Sequence, residues 1–325
     1  MFNMQRLHVK FHDLSPVERG FEEAVLDGFT RHVKAIPCQY LYDAVGSALF
    51  DKICLTPEYY PTRTEIGILG SNADYIAEQM GPGVQIIELG SGASLKVRRL
   101  LECLSEPKGY VPVDVSREHL MRAAEDLSRS HPNIPVTAVC ADYTSSSWFS
   151  ALDGLPYTKR VAFFPGSSIG NFEPYESIQL MRHIGSLVGR GGDFLVGVDL
   201  KKDTSVLNAA YNDVAGVTAA FNLNLLERIN RELGGDFDLR RFRHDATYSE
   251  DHGRIEIYIR SLIDQFVHIS GRRFRLAAGE RIHTEYSYKY TVPEFQALAH
   301  TAGFSSTRTW MDDDKHFSVH YLRAR

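Results

Sequence analysis

Two acidic residues and a pair of glycines carry the first chemical signal. Glu88-Leu89-Gly90-Ser91-Gly92 closes a short apolar run, and Asp114 closes the next, roughly 20 residues further on. Glycines at a strand end let the backbone turn sharply and come close to a ligand. A carboxylate at the following strand end accepts hydrogen bonds from both hydroxyls of a ribose. Asp142 closes a third run, where it could meet the amino group of an adenine. Taken singly, each has a plainer use: a tight turn, a helix cap, a surface turn. Together they point to an adenosine-containing ligand. Dinucleotide sites usually carry a third small residue in G-x-G-x-x-G/A, so that a helix N-terminus approaches a pyrophosphate. That position is Leu95 here. The bulky side chain favours a cofactor with adenosine and no pyrophosphate, and S-adenosylmethionine is the obvious one. A rival dehydrogenase reading also lacks a clear hydride-site His or Cys motif.

The elements that must position these residues follow from periodicity. VQIIELG, YVPVDVS, VTAVCADY, RVAFFPGSS and DFLVGVDLKK are short apolar runs that read as buried parallel strands. Helical patterns separate most of them, including LKVRRLLECL, REHLMRAAEDLSRS (capped by Ser116) and YESIQLMRHIGSLV. Alternation of this kind predicts a parallel sheet with helices on both faces. The first 60 residues read as helical, with capping boxes at Ser15-Pro16-Val17-Glu18 and, for a helix toward Met80, at Thr62-Arg63-Thr64-Glu65. A long helical region covers about 204–235. RIEIYIRSL, QFVHISGRRFRL and RIHTEYSYKY then alternate like antiparallel strands. Thr291-Val292-Pro293-Glu294 starts another helix, and SSTRTWM and FSVHYLRA close the chain as a hairpin around Asp312-Asp313-Asp314, a solvated turn rather than a metal site. The order predicts an interrupted α/β domain at 61–200 and 290–325 and a second α+β domain at 1–60 and 201–289, with a cleft between them as the default ligand site.

Composition narrows the class. In 325 residues, 43% are apolar and 24% charged, enough to bury a sizeable core. Thirty-six basic against 41 acidic residues give a net charge of −5, which excludes a general pull toward nucleic acid or anionic membrane. No stretch approaches the roughly 20 apolar residues of a membrane span, and the first residues lack a signal-peptide core. Cys38, Cys54, Cys103 and Cys140 are scattered and read as buried thiols in a reducing cytoplasm. No metal is expected, and a monomer is.

Longer strings carry a resemblance. YDAVGSALFDKICLTPEYYPTRTE, IELGSGASLK, YVPVDVS, FFPGSSIGNFEP, GVDLKKD, AYNDVAGVTAAFNLNLLERINREL, RIEIYIRS and HTEYSYKY resemble, in order, the histidine-specific S-adenosylmethionine-dependent methyltransferases. The resemblance runs from about residue 37 to the end. It implies a Rossmann-like methyltransferase sheet, mostly parallel with a C-terminal antiparallel hairpin, beside a substrate-binding domain. It implies S-adenosylmethionine as co-substrate and L-histidine as substrate. The implied reaction places three methyl groups on the α-amino nitrogen to give hercynine, the first step of ergothioneine biosynthesis; the alternative is methylation of another amino acid or amine. Gly90, Lys96, Asp114 and Asp142 match cofactor positions. Tyr42 matches a tyrosine near the reacting amine, and Tyr59 a substrate-binding tyrosine. Asn171 and Tyr211 match residues that hold the carboxylate, Gly166 lines the same site, and Glu285 with Ser287 match the pair that grips the imidazole. Without the resemblance, Glu285 and Ser287 read as the wet face of a strand. Ile257 departs from the methionine some members carry there, staying apolar and similar in size.

Overall fold

The computed structural model describes residues 9–14 and 19–325. Its elements begin with β1 (Val9–Asp13), α1 (Arg19–Thr30), α2 (Ala44–Ile53), α3 (Tyr60–Met80), β2 (Val84–Leu89), α4 (Leu95–Cys103), β3 (Gly109–Asp114), α5 (Arg117–Ser130) and β4 (Val136–Cys140). They continue with β5 (Lys159–Phe164), α6 (Pro174–Val188), β6 (Asp193–Asp199), α7 (Thr204–Ala210), α8 (Val217–Leu233), β7 (Phe242–Ser249), β8 (Arg254–Ser261) and β9 (Gln265–Ile269). The last are β10 (Arg272–Leu276), β11 (Arg281–Tyr288), α9 (Val292–Thr301), β12 (Phe304–Met311) and β13 (Phe317–Ala324). The chain forms two compact units. One contains the described residues 9–14 with Pro61–Lys201 and Tyr290–Arg325, and the other the described part of Pro16–Tyr60 with Lys202–Lys289.

The first unit is built on an eight-stranded sheet in the order β1-β4-β3-β2-β5-β6-β13-β12. The six strands from β1 to β6 run parallel, and β13 and β12 are antiparallel additions at one edge. Strands β2, β4 and β6 are buried at every position, which is why they read as unbroken apolar runs. The strand order reverses between β2 and β5, and ligands of such sheets bind beyond the strand carboxyl ends at that point.

Four local expectations give way. Residues 9–13 are a strand, not helix: β1 pairs in parallel with β4 from Val9↔Val136 to Asp13↔Cys140 and joins this segment to the sheet unit. Its alternating Val9 and Phe11 pack on the main core. The Ser15–Glu18 capping box lies outside the described residues. Helix α3 starts at Tyr60, so Thr62 is inside it and Glu65, fully buried, caps nothing. Ser116 makes no side-chain cap; the Asp114 carboxylate accepts its N–H instead (2.9 Å). None of the four cysteines is in a disulfide, and of them only Cys140 is buried. The turn before β13 is held by Asp312, whose carboxylate accepts the Phe317 N–H (2.7 Å). Among the described residues, no helix is long and apolar enough to cross a membrane.

The second unit packs α1, α2, α7 and α8 with a three-stranded antiparallel sheet, β11-β8-β7, and the β9–β10 hairpin. The helical stretch from 204 is two helices. Between them Asp213 turns back to accept the N–H groups of Val217 and Thr218 at 2.8 Å each, satisfying the first turn of α8. Strand β7 escapes a search for apolar runs because its inward set is Phe242, His244 and Ala246. QFVHISGRRFRL folds as a tight hairpin, since Ser270 and Gly271 both take positive φ.

Strand β11 carries a β-bulge between His283 and Glu285. Before it, Ile282 faces Ile259; after it, Glu285 faces Ile257 and Ser287 faces Ile255. At the bulge, His283 exchanges backbone bonds with the segment before α2, donating to Lys34 (2.8 Å) and accepting from Ile36 (2.9 Å). The extra residue changes which alternate positions point inward, so Ile282 and Thr284 are buried on one side of it and Ser287 and Lys289 on the other.

The sheet edge depends on one carboxylate. Asp193 is fully buried and accepts from Lys159, from the Tyr321 hydroxyl (2.5 Å) and from Arg323 Nε (2.9 Å), tying β5, β6 and β13 together. Asp193→Ala strands these donors and is expected to cost about 3 kcal/mol in chemical denaturation.

Candidate active site

In the sheet unit, the loops after four neighbouring strands bring three expected cofactor residues and the substrate-site glycine, Gly166, to one end. Gly90 follows β2, Asp114 ends β3, Asp142 follows β4, and Gly166 follows β5. Gly90 has φ +65° and Gly166 has φ +83°, conformations that favour glycine. Asp114 is anchored from inside: Oδ2 accepts the Gly92 N–H (3.0 Å) and Oδ1 the Ser116 N–H (2.9 Å). Burial pushes its pKa up, and these backbone donors oppose the shift. Each oxygen keeps a second lone pair for a hydroxyl. Asp142 forms an Asx turn, its Oδ1 accepting the N–H (2.9 Å) and hydroxyl (2.7 Å) of Thr144. Ser91, inside the glycine loop, has a buried hydroxyl with no partner, the kind of group a bound ligand satisfies. A nucleoside with vicinal hydroxyls therefore fits this strand end. Leu95 opens α4 and is exposed, so it does not close the loop.

Two buried carboxylates support this end: Glu65, read from the sequence as part of a capping box, and Glu88, which had no role there. Glu65 Oε2 accepts from Lys96 (2.8 Å) and from the Gly166 N–H (2.8 Å), linking two expected ligand-binding residues through α3. A Cβ at Gly166 would lie 3.0 Å from Lys96 Nζ, a tight contact that the flexible lysine end can relieve, so its φ of +83° is the stronger reason for glycine. Glu88 accepts from the Tyr110 hydroxyl, which also reaches Ser94 Oγ (2.8 Å) at the start of α4. Burial pushes the Glu88 pKa up to about 8 against the Tyr110 bond and the Lys96 charge. Asn171 lies in this unit too, half-buried in the 3-10 turn Ser168–Asn171.

The second unit contains a small cavity of about 30 Å³. Phe50, Tyr59, Tyr211, Phe221, Ile257 and Glu285 line it, together with Asn222 and His244. The structure thus brings Tyr59, Tyr211 and Glu285 together. Ser287 joins through Tyr211, whose hydroxyl it meets at 2.8 Å. Tyr42 is not a lining residue. Its ring stands edge-on to Phe221 (5.4 Å) and Phe50 (5.6 Å), which are. Burial, followed by the neighbouring Tyr211, pushes the Tyr59 pKa well above its ordinary value, so its hydroxyl stays neutral. Ile257, buried opposite Glu285, keeps that wall apolar.

Three polar residues of this cavity region were missed by motif reading. Lys289 is 1% exposed and donates to the Tyr211 hydroxyl and Ser287 Oγ, both at 2.8 Å. Its position two residues beyond Ser287 on an alternating strand was the available signal. Asn222 and His244 bond each other (2.9 Å) from α8 and β7. Neither belongs to a short motif, and β7 was not read as a strand.

A mostly parallel sheet with a glycine loop, an anchored ribose-type carboxylate and a C-terminal antiparallel hairpin defines a Rossmann-like S-adenosylmethionine-dependent methyltransferase. The chain belongs to the histidine-specific, SAM-dependent methyltransferase family, which it matches over residues 21–324. It is 38% identical over 298 residues to the histidine N-alpha-methyltransferase of Mycolicibacterium smegmatis, covering 90% of this chain and 91% of that protein. It is 36% identical to the histidine N-alpha-methyltransferase of Mycobacterium tuberculosis, with 91% and 92% covered. It is 32% identical to ergothioneine biosynthesis protein 1 of Neurospora crassa, covering 89% of this chain and 33% of that longer protein. The protein is an enzyme, and S-adenosylmethionine is its methyl donor.

The raised Glu88 pKa has a defined consequence for stability. The folded state holds a proton that the unfolded chain releases above its ordinary value of 4.5. The contribution is complete below that pH and is lost as pH rises toward about 8. Glu88→Gln should flatten the fall in melting temperature across that window; an unchanged slope would assign the fall to other groups.

Proposed function

We propose that the protein transfers three methyl groups in succession to the α-amino nitrogen of L-histidine, giving hercynine, the first step of ergothioneine biosynthesis. The observation that carries this reading is a carboxylate, Glu285, set into an otherwise largely aromatic and aliphatic cavity in a chain of the histidine-specific family. The sheet unit would hold the methyl donor through Gly90, Lys96, Asp114 and Asp142. The second unit would hold the amino acid through Tyr59, Tyr211, Glu285 and Ser287. The reading carries with it a single chain acting in the cytoplasm.

The methyl donor, when bound, supplies an electrophilic sulfonium methyl. The chain's own residues have four tasks. They bind the amino acid, orient its amine, exclude bulk water, and leave a path by which the amine proton reaches solvent. The amine must be neutral to use its lone pair, and a nearby positive charge disfavours the ammonium. No strong base is needed, and Tyr59, with its raised pKa, is suited to orient rather than to deprotonate. Positioning of this kind is worth roughly 7–11 kcal/mol in well-oriented systems. As methyls accumulate, the product becomes a permanent cation. The clustered rings of Phe50, Tyr59 and Phe221, which line the cavity, offer aromatic faces to it.

Glu285 supplies an acceptor for an imidazole N–H, and an indole or phenyl ring in its place leaves buried polar groups poorly matched. Mass spectrometry of histidine incubated with the protein and S-adenosylmethionine should show three methyl groups on the α-nitrogen. Methylation confined to another amino acid or amine would replace this reading. Glu285→Ala should weaken histidine binding by about tenfold or more while S-adenosylmethionine binds as before, measured by calorimetry with each ligand separately.

A further inference from the structure

Asn222 is 2% exposed on α8, lines the substrate cavity with Glu285, and has a defined amide orientation. The orientation starts at the Tyr211 carbonyl, which only accepts. His244 Nε2 therefore carries its proton and donates to that carbonyl at 2.9 Å. Burial lowers the His244 pKa, so the ring is neutral and its Nδ1 accepts. Asn222 Nδ2 supplies that donor at 2.9 Å and gives its other hydrogen to the Tyr258 carbonyl at 3.0 Å. Two acceptors on different strands thus fix where the amide nitrogen lies, and with it the oxygen. Oδ1 is buried with no hydrogen-bond partner. A buried amide oxygen without a donor is costly, and at the wall of a binding cavity the cost is recovered when a ligand brings a polar hydrogen.

We propose that Asn222 is a specificity-determining residue whose side-chain carbonyl accepts a ring N–H from the substrate, and that His244 is the positioning residue that holds it in that orientation. The proposal rests on the reading that histidine fills this cavity. Glu285 and Asn222 then give the cavity two acceptors on separate elements, a pattern that an imidazolium, with N–H on both ring nitrogens, satisfies together and that rejects rings of similar size that bear none.

The test compares L-histidine with L-3-(thiazol-4-yl)alanine, whose ring keeps a lone-pair nitrogen but has no N–H. Binding is measured by calorimetry on the full chain with S-adenosylhomocysteine present. Asn222→Ala should weaken histidine about tenfold and change the thiazole analogue by less than about twofold. If Asn222→Ala does not fold, Asn222→Thr removes the same carbonyl and is read the same way. Equal weakening of both ligands would make Asn222 structural only and overturn the proposal, as would unchanged histidine binding. Failure of the unsubstituted protein to bind histidine would instead overturn the functional reading beneath it.

Discussion

Tyr211 is the point on which the second unit turns. Its side chain and its backbone are held by different strands. The hydroxyl is fixed by Ser287 and Lys289 after the bulge of β11, and the carbonyl takes the His244 proton from β7. The residue sits where the α7–α8 region breaks, so its carbonyl is not consumed by a continuing helix. Removing water from this many polar groups is tolerable only because each bond made here satisfies two of them at once. The cavity inherits its shape from that constraint. Tyr59 packs against the Tyr211 ring at 6.1 Å, and Phe50 follows at 6.2 Å from Tyr59.

The sheet unit was largely legible because its strands are buried on both faces and show it in composition: VQIIEL and DFLVGVD admit few other uses. Glycine and aspartate at the strand ends gave the ligand class for the same physical reason, since backbone approach and ribose recognition restrict residue type severely. What stayed hidden were contacts joining distant segments. Nothing in TRTE says that Glu65 will be buried beneath Gly166 and Lys96 rather than start a helix. Strand β1 was concealed by its short length and by a partner, β4, more than 100 residues away in sequence. In the second unit, the positions of Tyr59, Tyr211 and Glu285 came through the resemblance, and spacing alone would have left Glu285 on a wet strand.

The carboxylates under the sheet's ligand end divide the labour by their surroundings. Asp114 takes backbone donors and remains able to accept more; Glu65 is occupied by a lysine and a main-chain N–H; Glu88 is driven toward its neutral form by burial. Three acids within one region need not compete for the same role when one is shielded, one is ion-paired and one is hydrogen-bonded to its own loop.

The bulge in β11 behaves like a reading frame. With the upstream half held against Ile259 and the Lys34–Ile36 segment, loss of the extra residue Thr284 would leave Glu285 opposite Ile257, whereas loss of a residue beyond it, at Tyr286, would turn Ser287 away from the cavity and bring Tyr288 opposite Ile255. With the downstream half held instead, Ile282 would be driven into water. Side chains in this strand are therefore open to exchange, whereas the count of residues beyond the bulge is not: one indel there would set a phenol where the Ser287 hydroxyl now meets Tyr211.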